Sequence, residues 1–218
     1  MLDLLQRKLE NLYGVESQHD VRDFLITDPT LARALGGAAL IPDTDETVLV
    51  TEDDDGLALS VYLDRDMLDR LDSADPLRRL RSEQLGDLWT VLEGVSHFSY
   101  LVWSAVRNRS VTLLELEMQA EVDKFVATHQ LVMEQGRLDL LSQLHGRLFD
   151  SYRFRAELKP QEVERYRAAN DYASRFCHKL REPLVDGNDA VIAELRAFYR
   201  LSQQGKISHI HSRAWAAP

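Results

Sequence analysis

Residues 82–135 read SEQLGDLWTVLEGVSHFSYLVWSAVRNRSVTLLELEMQAEVDKFVATHQLVMEQ. Leu85, Leu88, Leu92, Val95, Val102 and Val106 recur at three- and four-residue intervals, which lays one apolar stripe along a helix. After the turn signal Asn108-Arg109-Ser110, Thr112 with Glu115 fits a capping box. Val111 is placed to staple onto Leu116, and Leu114, Met118, Val122, Phe125 and Val132 carry a second stripe up to Gly136. So short a turn predicts an antiparallel helix pair over about 82–107 and 112–135.

The same stretch holds the ionisable residues of greatest chemical interest: Glu93, His97, Glu117, Glu121 and His129. Glu93 and His97 are four apart, as are Glu117 and Glu121, so each pair projects from one face of its helix. Around a turn at 109–110, positions whose numbers sum to roughly 219 lie level, which brings His97 beside Val122 with Glu121 and Glu93 within a turn. Carboxylates and imidazoles converging between helices can hold a divalent metal, although the Glu-x-x-His spacing of carboxylate-bridged sites is missing from both helices. The simpler expectation is that the glutamates border the core, paired with Lys or Arg, and that the histidines are satisfied by hydrogen bonds.

Outward from this pair, residues 1–37 read as a helical prelude: a helix from Leu2 to Tyr13 ended by Gly14, a second from Ser17 to about Thr27, and a third from Pro29 to Gly36-Gly37. Alternation in 47–51 and 57–63 around an acidic Asp-Gly turn predicts a β-hairpin over about 47–63. The Asp53-Asp54-Asp55-Gly56 run lacks the alternating ligands and closing glutamate of a calcium loop. Asp64 is placed to cap a short helix, and Asp75-Pro76 to open a further segment. Beyond 136 the pattern predicts a short helix through Leu138–Leu148 and a connector over 152–159. A long helix from Pro160 ends before Pro183, a last one runs from Asn188 to Gly205, and a short tail follows. The expected fold is mainly α, a multi-helix bundle of one domain, with 38–75 as an acidic hairpin segment and 76–218 as the bundle.

The chain has 218 residues and a formal charge of −10. Between Asp43 and Asp75 stand twelve acidic residues against Arg65 and Arg70, a balance equal to the whole excess, whereas from Ser151 onward twelve basic residues meet eight acidic ones. Such segregation can steer a charged partner, and more commonly is only a solvated face. The Arg78, Arg79, Arg81 cluster is expected to pair with nearby acids, and nucleic acid is disfavoured as a partner by overall acidity. The single cysteine, Cys177, rules out an internal disulfide, and successive helix positions prevent it from facing His178 as a dyad. His209 and His211, if extended, would share a side. No apolar run reaches membrane-spanning length, no phosphate loop or paired Cys-x-x-Cys is present, and a cytoplasmic location is expected.

These features predict a helical protein acting through contacts with a protein partner or with itself, as an adaptor or regulatory subunit, without a resident cofactor. The alternative is a metal-binding helical bundle, enzyme or store, using Glu93, His97, Glu117, Glu121 and His129.

Overall fold

In the computed structural model, residues 1–37, 44–53, 56–151, 158–187 and 189–212 are described. The central pair forms as the apolar periodicity requires: α4 (Leu85–Ala105), entered through a 3-10 turn at Ser82–Gln84, and α5 (Leu113–Glu134). Both helices are enclosed on nearly every side, so their buried residues run well beyond a single stripe and include Ser96, His97, Glu117, Asp123 and Lys124. Val106 departs from its predicted place in the stripe: it follows the end of α4 and is 72% exposed. Thr112 Oγ accepts from Glu115 N at 3.2 Å, but the Glu115 carboxylate does not complete the box. It takes instead the Arg109 guanidinium, the Tyr100 hydroxyl and the backbone N–H of Gln203.

α1 (Leu2–Tyr13) presses Leu2, Leu5, Leu9 and Leu12 into the core and ends at Gly14, whose φ of 59° is the left-handed geometry glycine tolerates best. The predicted second helix is replaced by a single 3-10 turn, Val21–Phe24, capped by Asp20, followed by the two-residue strand β1 (Leu25–Ile26). Tertiary pairing overrides local preference here, because β1 lies parallel to β3 with Leu25 opposite Val61 and Ile26 opposite Tyr62. After α2 (Pro29–Gly36), β2 (Glu46–Asp53) and β3 (Gly56–Leu63) form the antiparallel hairpin, giving a sheet of order β1-β3-β2. Residues 54–55, at the acidic turn, lie outside the described residues.

The sheet backs onto α4 through Leu59, Val61 and Leu63. Contact is close at Gly94, where an added Cβ would stand 3.1 Å from Leu63 Cδ2, 3.2 Å from Val61 Cγ1 and 3.3 Å from Glu46 Cγ. α3 (Arg65–Ala74) is capped by Asp64, which accepts from Met67 N at 2.9 Å. Asp75, with φ 33°, ends α3, and no helix opens at Pro76. Arg78, Arg79 and Arg81 form no ion pair among the described residues, against expectation.

The predicted helix over 138–148 is split into α6 (Leu138–Leu141) and α7 (Leu144–Phe149). α8 (Pro160–Asp186) packs along α5 and continues through Pro183 to Gly187. A proline in the last turn removes only one main-chain bond, and burial of Leu184 retains that turn. α9 (Asp189–Arg200) stops earlier than predicted; Ser202 then caps a new helix, α10 (Gln203–His211), where a tail was expected. Asn188 and residues 152–157 lie outside the described residues.

A polar core crosses the bundle on one side of α5. Asp123 accepts from the Tyr13 and Ser96 hydroxyls and, at 2.8 Å, from Gln119 Nε2. Gln119 Oε1 in turn accepts from Lys206 Nζ at 2.6 Å, and Lys206 also reaches the Phe198 carbonyl at 2.9 Å. Every member is buried, and each of these donors meets an acceptor, which is the condition for such a network to be tolerated in a core.

Candidate metal centre

α4 offers Glu93 and His97 one turn apart, and α5 offers Glu117 and Glu121 one turn apart, because i,i+4 residues share a helix face. The antiparallel packing brings three of them together: one ligand atom each from Glu93, His97 and Glu117 lies within 4.8 Å of the others. His97 Nε2 is 3.6 Å from a Glu117 carboxylate oxygen, longer than a hydrogen bond, and this buried nitrogen has no hydrogen-bond partner. The whole residue is only 5% exposed.

The hairpin supplies a fourth carboxylate that no local spacing announces. Glu46, at the start of β2, places Oε1 3.4 Å from His97 Nδ1. Glu121 stands at the edge of the group, bound to Lys124 Nζ at 2.6 Å, and the same ammonium reaches Glu93 at 3.0 Å. α8 contributes Arg165, whose Nε is 3.9 Å from Glu117. Two of the predicted border pairings, Glu93 and Glu121 with a lysine, are therefore present. Lys124, Arg165 and Glu46 are the functional neighbours that sequence reasoning missed; Lys124, three residues after Glu121, was the one accessible from spacing alone.

His129 does not join the group. It lies eight residues after Glu121 on α5, about 12 Å along the axis, and lines a separate cleft of about 640 Å³ with Phe125, His145 and His178. Burial alone pushes its imidazole down to about 4, and it makes no hydrogen bond among the described residues, contrary to expectation. His209 and His211 do not share a side either, because two residues apart on a helix point about 200° away from each other. They sit on α10, His209 against Glu194 and His211 edge-on to Tyr172. Cys177 is a core residue whose thiol is held well above its ordinary range by burial.

The charge balance of the cluster is unusual. Glu46, Glu93, Glu117 and Glu121 face two fixed cations, Lys124 and Arg165, so a neutral His97 leaves two negative charges in excess. The titrations answer to that excess. Burial, joined by repulsion from Glu93 and Glu117, raises the Glu46 carboxyl to about 6 despite attraction from His97. Glu121 is likewise raised by burial and by the same two carboxylates, with Lys124 opposing. Burial favours a neutral His97, but Glu117 and Glu46 outweigh it and hold the ring well above its ordinary value. Lys124 is desolvated too, and Glu121 and Glu93 more than compensate, keeping it charged.

No protein-family model, no curated protein and no solved structure matches the chain.

Proposed function

We propose that the protein is a metal-binding helical bundle, with one divalent first-row transition ion such as Mn²⁺, Fe²⁺ or Zn²⁺ held by Glu93, His97 and Glu117. The observation that carries this reading is the orphan nitrogen: His97 Nε2 is buried without a partner while oxygens of two carboxylates converge on it. Leaving such a nitrogen unpaired costs roughly 1–3 kcal/mol, and coordination removes that cost. A mixed oxygen and imidazole donor set suits these ions rather than Ca²⁺ or Mg²⁺. The excess of two negative charges is what a divalent cation neutralises. Glu46 accepts a hydrogen bond from His97 Nδ1–H in this arrangement, the carboxylate–imidazole–metal relation that fixes a ligand's tautomer. Glu121 and Lys124 stay outside the donor set as charge partners.

The test is elemental analysis and thermal melting of protein purified without chelator. A stoichiometric transition metal is expected, lost in His97→Ala. For a metal present at a hundredfold its dissociation constant, linkage adds about 2.7 kcal/mol of stability. That corresponds to a rise in Tm of roughly 5–10 °C for a chain of this size, and the His97→Ala variant should lack it. Metal-free protein whose melting is indifferent to all three ions would sink the reading.

A second reading, action through protein contacts, is supported by one feature. β2 is an edge strand of eight residues with Val50 turned to solvent, a template onto which a partner's strand can add. Sedimentation of the wild type against a Val50→Lys variant tests it: an assembly dispersed by the lysine supports edge pairing, and two identical monomers oppose self-association through β2.

A further inference from the structure

The cleft of about 640 Å³ beside His129 has imidazoles from two further helices in its wall, His145 of α7 and His178 of α8. Their ring centres are 5.5 Å apart, with the planes at 73°. Two imidazoles on one tetrahedral ion, each nitrogen about 2.1 Å from it, hold their ring centres roughly 5 Å apart. The pair therefore already stands close to chelating distance. His145 Nε2 lies 3.0 Å from the Ser174 carbonyl oxygen, which can only accept, so this nitrogen carries the proton and Nδ1 the lone pair. Ser174 comes one helical turn before His178 on α8, and the bond ties the first ring to the turn that carries the second. A ring N–H held by a backbone carbonyl is the arrangement that orients an imidazole toward a metal through its other nitrogen.

Both rings have ligating capacity to spare. His145 Nδ1 makes no hydrogen bond among the described residues, and neither nitrogen of the exposed His178 makes one. Glu182 follows His178 by four residues on the same face of α8 and lines the same cleft. Its carboxylate does not lie within 4.8 Å of both rings, and rotation of this exposed side chain brings it in. His129 is held by the packing around it, cannot make that move, and stays outside the donor set. The charges along the wall offset one another: Lys179, whose Nζ donates to the Ile210 carbonyl at 2.9 Å, and Arg181 against Glu182 and Asp186. No negative excess is left to attract Ca²⁺ or Mg²⁺, whereas imidazole nitrogens select the late transition ions.

The geometry points to a second metal site, open to solvent, for a late first-row divalent ion, Zn²⁺ or Cu²⁺, chelated by His145 Nδ1 and His178 with Glu182 as third ligand. It shares no residue with the centre at Glu93, His97 and Glu117 and stands whether or not that centre is filled. Three protein ligands leave a tetrahedral ion one position for water or a substrate, unlike the closed set of a structural zinc. The cleft gives that position room for a small molecule. An ion on an open wall exchanges with solvent and is lost on dialysis.

Zn²⁺ added to the dialysed protein is the probe, and the Hε1 resonances of the imidazole rings are the readout. His145 is identified by its contact with the Phe149 ring, 4.8 Å between centres, and His178 by the signal missing from His178→Gln. The two signals should shift together and saturably, with one midpoint in the micromolar range. His178→Gln, a change at an exposed position, should abolish the response of the His145 signal, the signature of one ion shared by two rings. Glu182→Gln should weaken Zn²⁺ several-fold. His97→Ala, or Glu117→Gln should that variant unfold, should leave both shifts and their midpoint in place, so that failure of the enclosed centre and failure of this site are read separately. Different midpoints for the two signals, survival of the His145 shift in His178→Gln, loss of both shifts in His97→Ala, or no saturation by about 1 mM Zn²⁺ would overturn the proposal.

Discussion

Glu46 and His97, fifty-one residues apart in sequence, meet at 3.4 Å where the β2 strand closes over α4. The carboxylate orients the imidazole, so a Glu46→Gln protein should keep its fold and lose metal affinity by about 10–100-fold, the usual effect of removing such a partner. Metal titration monitored by Tm checks this; an unchanged affinity would release Glu46 from that role.

Metal and proton should compete for His97. The ring must be neutral to coordinate, and Glu117 and Glu46 hold its proton affinity well above the ordinary imidazole value. Binding is therefore expected to release a proton and to tighten as pH rises through the physiological range. Calorimetry in two buffers of different ionisation enthalpy measures that proton directly.

Much of the bundle was legible from spacing, because burial of a stripe is a local demand that the sequence states every three or four residues. Both helices of the central pair, the hairpin and the Asp64 cap follow from it. What escaped depends on distant groups. Leu25-Ile26 became a strand only because the β3 edge was available, and α8 ran through Pro183 because Leu184 had a core to enter. At the proposed metal centre the helix-borne Glu93, His97 and Glu117 were readable as faces, whereas Glu46 arrives from another element. His129 failed for a related reason: eight residues after Glu121 a helix has turned about 80° past that face, so its ring points away from the cluster.

Two glycines of α4 should respond in opposite senses to alanine. Gly86 has nothing within 4 Å of an added Cβ, so Gly86→Ala should gain up to about 1 kcal/mol from helix propensity. Gly94→Ala receives the same gain but drives its methyl into the fully buried Val61 and Leu63, an overpacking cost of roughly 1–3 kcal/mol. Tm should rise in the first and fall in the second.

Asp123 makes stability pH-dependent with a definite sign. Burial raises its carboxyl from 3.8 to about 6, offset in part by donors from Ser96, Tyr13 and Gln119 and by attraction to Lys206. The native state thus binds the proton more tightly than the unfolded chain. The associated stability is present in full below about pH 4 and lost as pH rises through about 6, amounting to roughly 3 kcal/mol at 1.36 kcal/mol per pH unit. Urea denaturation at pH 4 and pH 7 should reveal that slope in the wild type, and Asp123→Asn should remove its share of it.

Arg109 is expected to matter more than a surface arginine. Its partner Glu115 is 1% exposed, so Arg109→Met strands a buried carboxylate and should cost about 3–5 kcal/mol. The double variant Arg109→Met, Glu115→Leu should recover a large part of the loss. Equal destabilisation of single and double variants would mean that the contacts of Glu115 with Tyr100 and Gln203 dominate.

The end of α1 is held by side chains from α9: Arg196 donates to the Leu12 carbonyl at 3.0 Å and to the Asn11 carbonyl at 3.1 Å, and Arg200 reaches the Tyr13 carbonyl at 3.1 Å. Those bonds join residues more than 180 positions apart. During synthesis the first helix must wait for nearly all of the chain to leave the ribosome before its carbonyls are met. Until then the closing turn of α1 lacks those partners, so a chain cut short before α9 should fray at that turn even though the leucines of α1 already have α4 to pack on.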